Sequence, residues 1–365
     1  MDPLSRRGGE PARRELESLL TLEALPGVGL RRLRTLVHAA GSGAAALADR
    51  RLLEKHAGPA AAAAARAEEP RRGVLIALDR ADRLGMSTLH FGQDGYPRAL
   101  LHLSDPPPVL FLRGNAELLE TPGVGVVGAR RSTERARSVA FRLSAAVAGA
   151  GTPVVSGLAL GVDGAAHEGA LEAGGPTVAV LGNGADRAYP SSHGALFRRI
   201  LDKGLVVSEF LPGTPALPHH FPRRNRILAA LCRALVVVEA GERSGALISV
   251  DHALDLGVEV WAVPGPIEEP ACAGSNGLLA DGARPLLSVR GFVQAVLGEP
   301  DAPAEPTIRG PEADVWKALS TVSLSADEVA RATGLPAGRV LALLTALELG
   351  GRVRRLPGMR FRRAG

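Results

Sequence analysis

The sequence predicts an α/β fold: a doubly wound parallel sheet, preceded by a helical segment and followed by a small module of three helices and a hairpin. Three observations carry that expectation. Six short, near-continuous apolar runs alternate with helical stretches between residues 123 and 290, as strands buried on both faces of a parallel sheet do. The stretch GEPDAPAEPTIRGPE, starting at Gly298, is rich in proline, glycine and acid and reads as a linker. Finally, 365 residues exceed one ordinary domain, so two or three domains with at least one sizeable core are expected.

Composition bounds the chemistry. Cys232 and Cys272 form at most one bridge, and the opening residues lack the regions of a secretory leader, so a reducing cytoplasm is the expected setting. No apolar stretch reaches the roughly 18 residues that span a bilayer; the alanine tract 58–67 is short and weakly apolar. A soluble protein without a membrane partner is expected. Of the 43 lysines and arginines only Lys55, Lys203 and Lys317 are lysines. Guanidinium forks suit phosphate, although a GC-rich genome produces the same bias. Residues 1–85 carry net +4, residues 86–309 net −3 and residues 310–365 net +4. A polyanion bound in the middle must therefore meet a local pocket of arginines and backbone N–H groups rather than a broad positive field.

Taken in order, residues 1–14 read as a solvated tail and residues 15–85 as a helical domain. Leu22 and Leu25 precede the turn Pro26-Gly27-Val28-Gly29, and Leu30, Leu33, Leu36 and Val37 follow at three- and four-residue spacing, the layout of a helix-hairpin-helix. Gly27 and Gly29 would let the backbone approach a duplex phosphate, with Arg31, Arg32 and Arg34 beside it. A helical packing module whose glycines only make a tight turn is the alternative. Lys55-His56-Ala57-Gly58-Pro59 runs straight into alanines, so a second copy is not expected. DPPPVLFLRG, residues 105–114, reads as a stiff proline link. The candidate strands are 124–127, 153–156, 178–181, 205–208, 234–239 and 258–263, in a domain spanning 86–297 whose ligands should sit at the strands' carboxyl ends.

After the linker 298–309, residues 310–365 read as helix 312–319, a helix opened by the capping box Ser325 and Glu328, a turn at Gly334, helix 337–349 and a hairpin around Pro357-Gly358. That order is a winged helix. Its third helix is nearly all apolar, with Arg339 its only basic group, a poor major-groove reader. Arg352, Arg354, Arg355, Arg360, Arg362 and Arg363 crowd the wing instead, and phosphate contact there is favoured over a dimerising or docking role.

The chemistry concentrates at strand ends. The first run ends in VVGARRST, where Gly128 permits close approach, Ser132 or Thr133 can cap the next helix, and Arg130, Arg131, Arg135, Arg137 and Arg142 surround it. G-x-G-x-x-G and the Walker lysine are both missing, so neither a dinucleotide nor ATP is indicated. The second run ends at Ser156-Gly157. Asp163 and His167, four apart, are a candidate metal or acid/base pair, with a hydrogen-bonded pair holding the loop as the favoured reading. Phe221-Pro222-Arg223-Arg224-Asn225-Arg226 packs three forks, an amide and a ring into one helix start. A ring stacks a base and forks take phosphates, which suits a single strand. His219 and His220 read as loop residues rather than ligands. Arg243-Ser244-Gly245 opens another helix at a strand end. Nothing pairs a nucleophile with a base and its orienter, so no catalytic residue, metal or cofactor is expected. Glu209 and Glu239 are read as salt-bridge partners of Arg130 or of the arginines in the 223–226 cluster.

The strings VVGAR, SGLALGVDGAAHEGAL, TVAVLGNGADRAYP, VVSEF, FPRRNRILAAL, ALVVVEAGERSGALISVDHAL, VWAVPGP and GSNGLLADGA, over about residues 86–290, follow one another as in the bacterial DprA/Smf family, the DNA-processing proteins of natural transformation. DGYPRALLHLSDPPPVLFLRGN is similar to that family's entry segment. The flanks resemble its variable N-terminal helical (helix-hairpin-helix or SAM-like) domain and its C-terminal winged helix. The resemblance implies an extended Rossmann-like fold and a homodimer that binds and protects single-stranded DNA, loads the RecA recombinase and promotes annealing. Double-stranded DNA and single-strand-binding protein are further candidate partners. It places the strand pocket on Gly128, Arg130, Ser156, Gly157, Phe221, Arg223, Asn225 and Arg226. Arg224, Ser244 and Gly245 join these from the residue reading. Gly27, Gly29, Arg31, Arg352, Arg354 and Arg355 are the candidate duplex contacts. Tyr189-Pro190 lacks the basic stretch that follows in the family, and Arg198 or Arg199 is the candidate substitute. The dimer and recombinase surfaces are expected toward residues 245–290. Two other classes compete: a nucleotide-processing phosphoribohydrolase with Glu239 as its acid, and a duplex-binding winged-helix regulator.

Overall fold

The computed structural model describes residues 10–298, 311–319, 323–349, 352–356 and 358–363. The chain divides after Gly298 into two compact units.

The first unit opens with helices α1 (Glu10–Ala24), α2 (Leu30–Ala40), α3 (Gly43–Ala48), α4 (Arg50–Ala57), α5 (Pro59–Ala64) and α6 (Glu68–Arg83). The turn between α1 and α2 has Gly27 at φ +75°, and Leu22, Leu25, Leu33 and Leu36 are buried around it. Helix α1 takes in the last five residues of the expected tail, 10–14. Arg13 pairs with Asp82 of α6 at 2.9 Å, and Leu16, Leu19 and Leu20 bury the following turn, so residues 10–14 are structured; residues 1–9 lie outside the described residues. The alanine tract folds as α5, with Pro59 in its first turn, where a missing N–H costs nothing.

The sheet follows as β1 (Ser87–His90), β2 (Val109–Gly114), β3 (Gly123–Val127), α7 (Glu134–Gly149), β4 (Val154–Ser156), α8 (Val162–Glu172), β5 (Thr177–Val180), α9 (Gly194–Lys203), β6 (Leu205–Ser208), α10 (His220–Ala230), β7 (Cys232–Val237), α11 (Gly245–Asp255), β8 (Glu259–Ala262), α12 (Ala273–Ala280), β9 (Arg284–Pro285) and α13 (Val289–Leu297). The nine strands run in the order β1-β2-β6-β5-β4-β3-β7-β8-β9. Strands β3 to β8 are the six predicted runs, and they pair in parallel. Strand β2 corrects the proline-link reading of residues 105–114. It lies antiparallel between β1 and β6, with Val109, Leu110, Phe111 and Leu112 buried. The prolines only deliver the chain to its first residue, and the apolar run behind them carries every ladder N–H.

The helical segment and the sheet share one core. Leu16, Leu19 and Leu78 belong to the same buried cluster as Phe111, Leu158, Leu181 and Ile200. Arg80 of α6 adds an ion pair with Asp186 at 2.6 Å.

The second unit contains α14 (Pro311–Ala318), β10 (Leu324–Ser325), α15 (Ala326–Thr333), α16 (Ala337–Leu349), β11 (Val353–Leu356) and β12 (Arg360–Arg363), a winged helix. The Ser325 and Glu328 capping box is formed. Val340, Leu344 and Leu347 of α16 are buried with Val353 and Phe361 of the hairpin. Apart from Gly298, the expected linker 298–309 lies outside the described residues, as does Pro357 of the hairpin turn.

Candidate nucleic-acid interface

Strand order runs β3, β4, β5, β6 in one direction and β7, β8 in the other. The reversal falls between β3 and β7, where an open α/β sheet forms its ligand crevice. A cleft of about 500 Å³ lies there, lined among others by Gly128, Arg130, Arg131, Phe221, Arg243 and Gly245.

The loops around the cleft are built by buried polar groups. A Cβ on Gly128 would meet Val162 at 2.7 Å and the Glu239 carbonyl at 2.9 Å, so glycine is what lets α8 and the end of β7 close on β3. The Glu239 carboxylate accepts the Thr133 backbone N–H at 3.0 Å and its hydroxyl at 2.6 Å. It anchors the positive end of α7, which corrects the expectation that it pairs with an arginine. Ser156 points inward, its hydroxyl donating to Val126 O at 2.7 Å, and so ties β4 to β3. Gly157 donates its N–H to Asp163 at 3.1 Å, and Ala159 does so at 3.4 Å. Asp163 therefore holds the loop after β4, and burial raises its pKa. His167, four residues on, faces Thr177 Oγ1 at 2.7 Å and not Asp163. Burial pushes its pKa down to about 3, so the ring is neutral. Among the described residues no three His, Cys, Asp or Glu side chains form a metal site. His220 is buried with its ring stacked on Phe210, centroids 4.1 Å apart, while His219 is exposed.

The start of α10 separates residues that look alike in sequence. Phe221 is half-exposed. The Arg130 guanidinium lies over its ring at 4.7 Å, and the Tyr189 ring, 44% exposed, tilts against it at 5.5 Å. A cation and two rings thus form one ledge at the cleft, the arrangement on which bases stack and phosphates are held. A small recess beside it is lined by Leu160 and Gly157.

The three arginines that follow differ from the expected row of open forks. Arg224 is 4% exposed. Its fork donates to the carbonyls of Gly157, at 2.8 Å, and Val180, and its Nε to Asn225 Oδ1 at 3.1 Å. Burial lowers its pKa to about 10 against the pull of Asp163. Arg226, 2% exposed, pairs with Glu209 at 2.7 Å and Asp105 at 3.2 Å. Arg223, three residues before it on the same helix face, pairs with Glu209 at 2.9 Å and with Glu23 of α1 at 2.7 Å. The physical reason is Glu209: its side chain is fully buried and needs counter-charge, which two forks supply. Asn225, also buried, donates to Gly245 O at 3.2 Å and joins α10 to α11. Ser244 caps α11 by accepting from Ala246 N at 3.3 Å. Gly245 is exposed at the rim.

The structure thus brings Gly128, Arg130, Phe221, Ser244 and Gly245 to the open cleft, makes the buried Arg224 and Asn225 part of its wall and Gly157 part of the adjoining recess, and sets Ser156 and Arg226 behind them. Sequence reasoning did not single out Tyr189, Arg243 or Glu23 as site residues. Arg243 carried a signal, since it directly precedes Ser244-Gly245. Arg198 and Arg199 are exposed on α9, away from the cleft lining. In the α1–α2 turn, Gly27 and Gly29 are exposed. Arg32 folds back on Gly27 O at 2.7 Å, while Arg31 and Arg34 reach Ser104 at 3.3 Å and Leu103 O at 3.1 Å. In the second unit, Arg354 and Arg362 are exposed and directly opposed across β11 and β12. Arg355 is exposed and Arg352 half-buried. No described helix is long and apolar enough to cross a membrane.

The sequence model of the family described as DNA recombination-mediator protein A matches residues 87–297, and that of the DprA winged helix domain matches residues 299–359. Protein Smf of Escherichia coli (strain K12) is 34% identical over 311 residues, covering 81% of this chain and 83% of that protein. The X-ray structure of DNA processing protein A (DprA) from Streptococcus pneumoniae matches with TM-score 0.66 at 31% identity, covering 78% of this chain and 96% of that one. DNA processing protein A from Helicobacter pylori, solved for its single-stranded DNA binding mode, matches with TM-score 0.54 at 30% identity, covering 58% and 96%. Carrying both the sheet and the winged helix of that family in the family's order, the chain belongs to the DprA/Smf family of DNA recombination mediators.

Proposed function

We propose that this chain is a single-stranded DNA-binding recombination mediator whose strand contact is the ledge of Arg130, Phe221 and Tyr189 above the switch-point cleft. The observation that carries the reading is the Arg130 guanidinium held over the Phe221 ring beside the exposed Tyr189. Bases have faces to stack there only when unpaired, so a single strand fits and a duplex does not. Arg131 and Arg243 at the cleft supply phosphate partners without a basic field across the whole sheet. The Helicobacter pylori relative, described for its single-stranded DNA binding, supports the assignment. Strand protection, loading of RecA, homodimerisation and a cytoplasmic setting belong to the same proposal, with single-strand-binding protein as a further partner.

Binding rather than catalysis is the reading because Glu239, the candidate acid of a phosphoribohydrolase, is 3% exposed and has both oxygens engaged by Thr133. Duplex contact is assigned to the wing, where the opposed Arg354 and Arg362 repel one another until a phosphate lies between them.

Fluorescence anisotropy of a labelled oligo-dT with Phe221→Ala tests the proposal. Loss of one stacked base, about 1–3 kcal/mol, weakens binding on the order of tenfold. Undiminished affinity in a folded variant would remove the ledge from the binding site.

A further inference from the structure

Arg223 differs from its neighbours in being one-third exposed. It is also the only member of the 223–226 cluster held by the helical segment. Its fork meets Glu23 of α1 at 2.7 Å and Glu209 at 2.9 Å and lies 5.1 Å over the Phe210 ring. The rest of the cluster does not depend on it. Arg226 binds Glu209 at 2.7 Å and Asp105 at 3.2 Å, so the buried Glu209 keeps a counter-charge when Arg223 moves away. Arg223 is not saturated either: its buried Nε has no hydrogen-bond partner. Three acidic side chains, Glu23, Glu209 and Asp105, thus meet two guanidiniums, those of Arg223 and Arg226, and burial raises the pKa of Glu23 against the pull of Arg223.

We infer that Glu23 sets how strongly the strand-binding edge grips phosphate, by occupying the Arg223 fork from the helical segment and withholding it from a passing strand. Glu23 acts as a positioning residue through Arg223. The α1 carboxylate and a phosphate oxygen are competing anionic acceptors for the same fork. A strand laid on the Phe221 ledge must either displace Glu23 or forgo one phosphate contact. The helical segment, in this arrangement, tunes affinity without touching DNA. The inference rests on the single-strand site proposed above.

The test is anisotropy of a fluorescein-labelled oligo-dT at 50 and 200 mM salt with the full chain carrying Glu23→Gln, Arg223→Gln, both, or Arg130→Ala. The expected result is that Glu23→Gln binds more tightly than the wild type and steepens the salt slope by about 0.7, as one added phosphate contact does on a single strand. Its advantage then shrinks about 2.6-fold between the two salts. In the Arg223→Gln background the Glu23 substitution changes nothing. Should Glu23→Gln fail to fold, Glu23→Asp, one methylene shorter, reads the same slope. An unchanged or shallower slope in a folded Glu23 variant overturns the inference; the site reading survives if Arg130→Ala still lowers the slope, and falls with the inference if it does not.

Discussion

Replacing Arg224 with methionine asks whether the start of α10 frames the cleft or contacts DNA. Methionine keeps much of the aliphatic stem and removes the fork. The carbonyls of Gly157 and Val180 lose their donor and Asn225 Oδ1 loses Nε. Asp163 is left buried with the N–H groups of Gly157 and Ala159 and the more distant charge of Arg130. A buried acceptor stripped of its partner costs about 1–3 kcal/mol, and removing one member of a buried charge pair about 3–5 kcal/mol. These overlap because the same fork serves all of them. Burial also disfavours the Arg224 charge itself, which brings its pKa down to about 10, so the larger figure bounds the loss. A destabilisation of about 3–5 kcal/mol is expected, which lowers Tm by roughly 10 °C for a unit of this size. Urea denaturation followed by far-ultraviolet circular dichroism measures it, with Asp163→Asn completing a double-mutant cycle. The salt slope on oligo-dT should not change. A variant as stable as the wild type, with its slope reduced by about 0.7, would make Arg224 a phosphate contact and not a support of the cleft.

Two further outcomes are expected. His167 is neutral in the folded chain with its pKa near 3, whereas the unfolded imidazole takes up a proton near pH 6.5. Its contribution to stability is therefore fully present above pH 6.5 and is lost as pH falls toward 3, at up to about 1.4 kcal/mol per pH unit; urea titrations between pH 7 and 5 should show a shallower dependence in His167→Gln. Deleting residues 299–365 should leave a folded single-strand binder with weaker duplex affinity, since the sheet and its cleft lie within the first unit. Equal duplex binding by the truncated chain would assign the winged helix to protein docking.

The parallel strands were legible because each is a short valine-rich run that no amphipathic helix pattern matches, and β3 to β8 fall within two residues of their expected bounds. Strand β2 was not, because Pro106, Pro107 and Pro108 mask the apolar run behind them. The edge carrying the candidate cleft was also legible, since glycine followed by arginine or serine recurs at strand ends. Which arginines reach the surface was not. Arg223, Arg224 and Arg226 look alike in sequence, and their orientation depends on the rotation of α10, which is set by Glu209 after β6 and Asp163 in the first turn of α8. Glu239 illustrates the same limit. Its partner is Thr133, at the start of another helix, and the neighbouring arginines gave a misleading choice. The role of Glu23 lay further out of reach, because it depends on the helical segment sharing a core with the sheet, and residues 15–85 read alone show no surface committed to it.

On the proposed reading, single-stranded DNA lies on the switch-point edge of the sheet and Arg130 takes one of its phosphates. The most direct test is an anisotropy titration of an oligo-dT and a duplex of equal length, at 50 and 200 mM salt, with the wild type and Arg130→Ala. The single strand should bind more tightly than the duplex, and Arg130→Ala should weaken it with a salt slope lower by about 0.7. Duplex preference indifferent to Arg130 would contradict that reading and move the DNA contact to the basic ends of the chain.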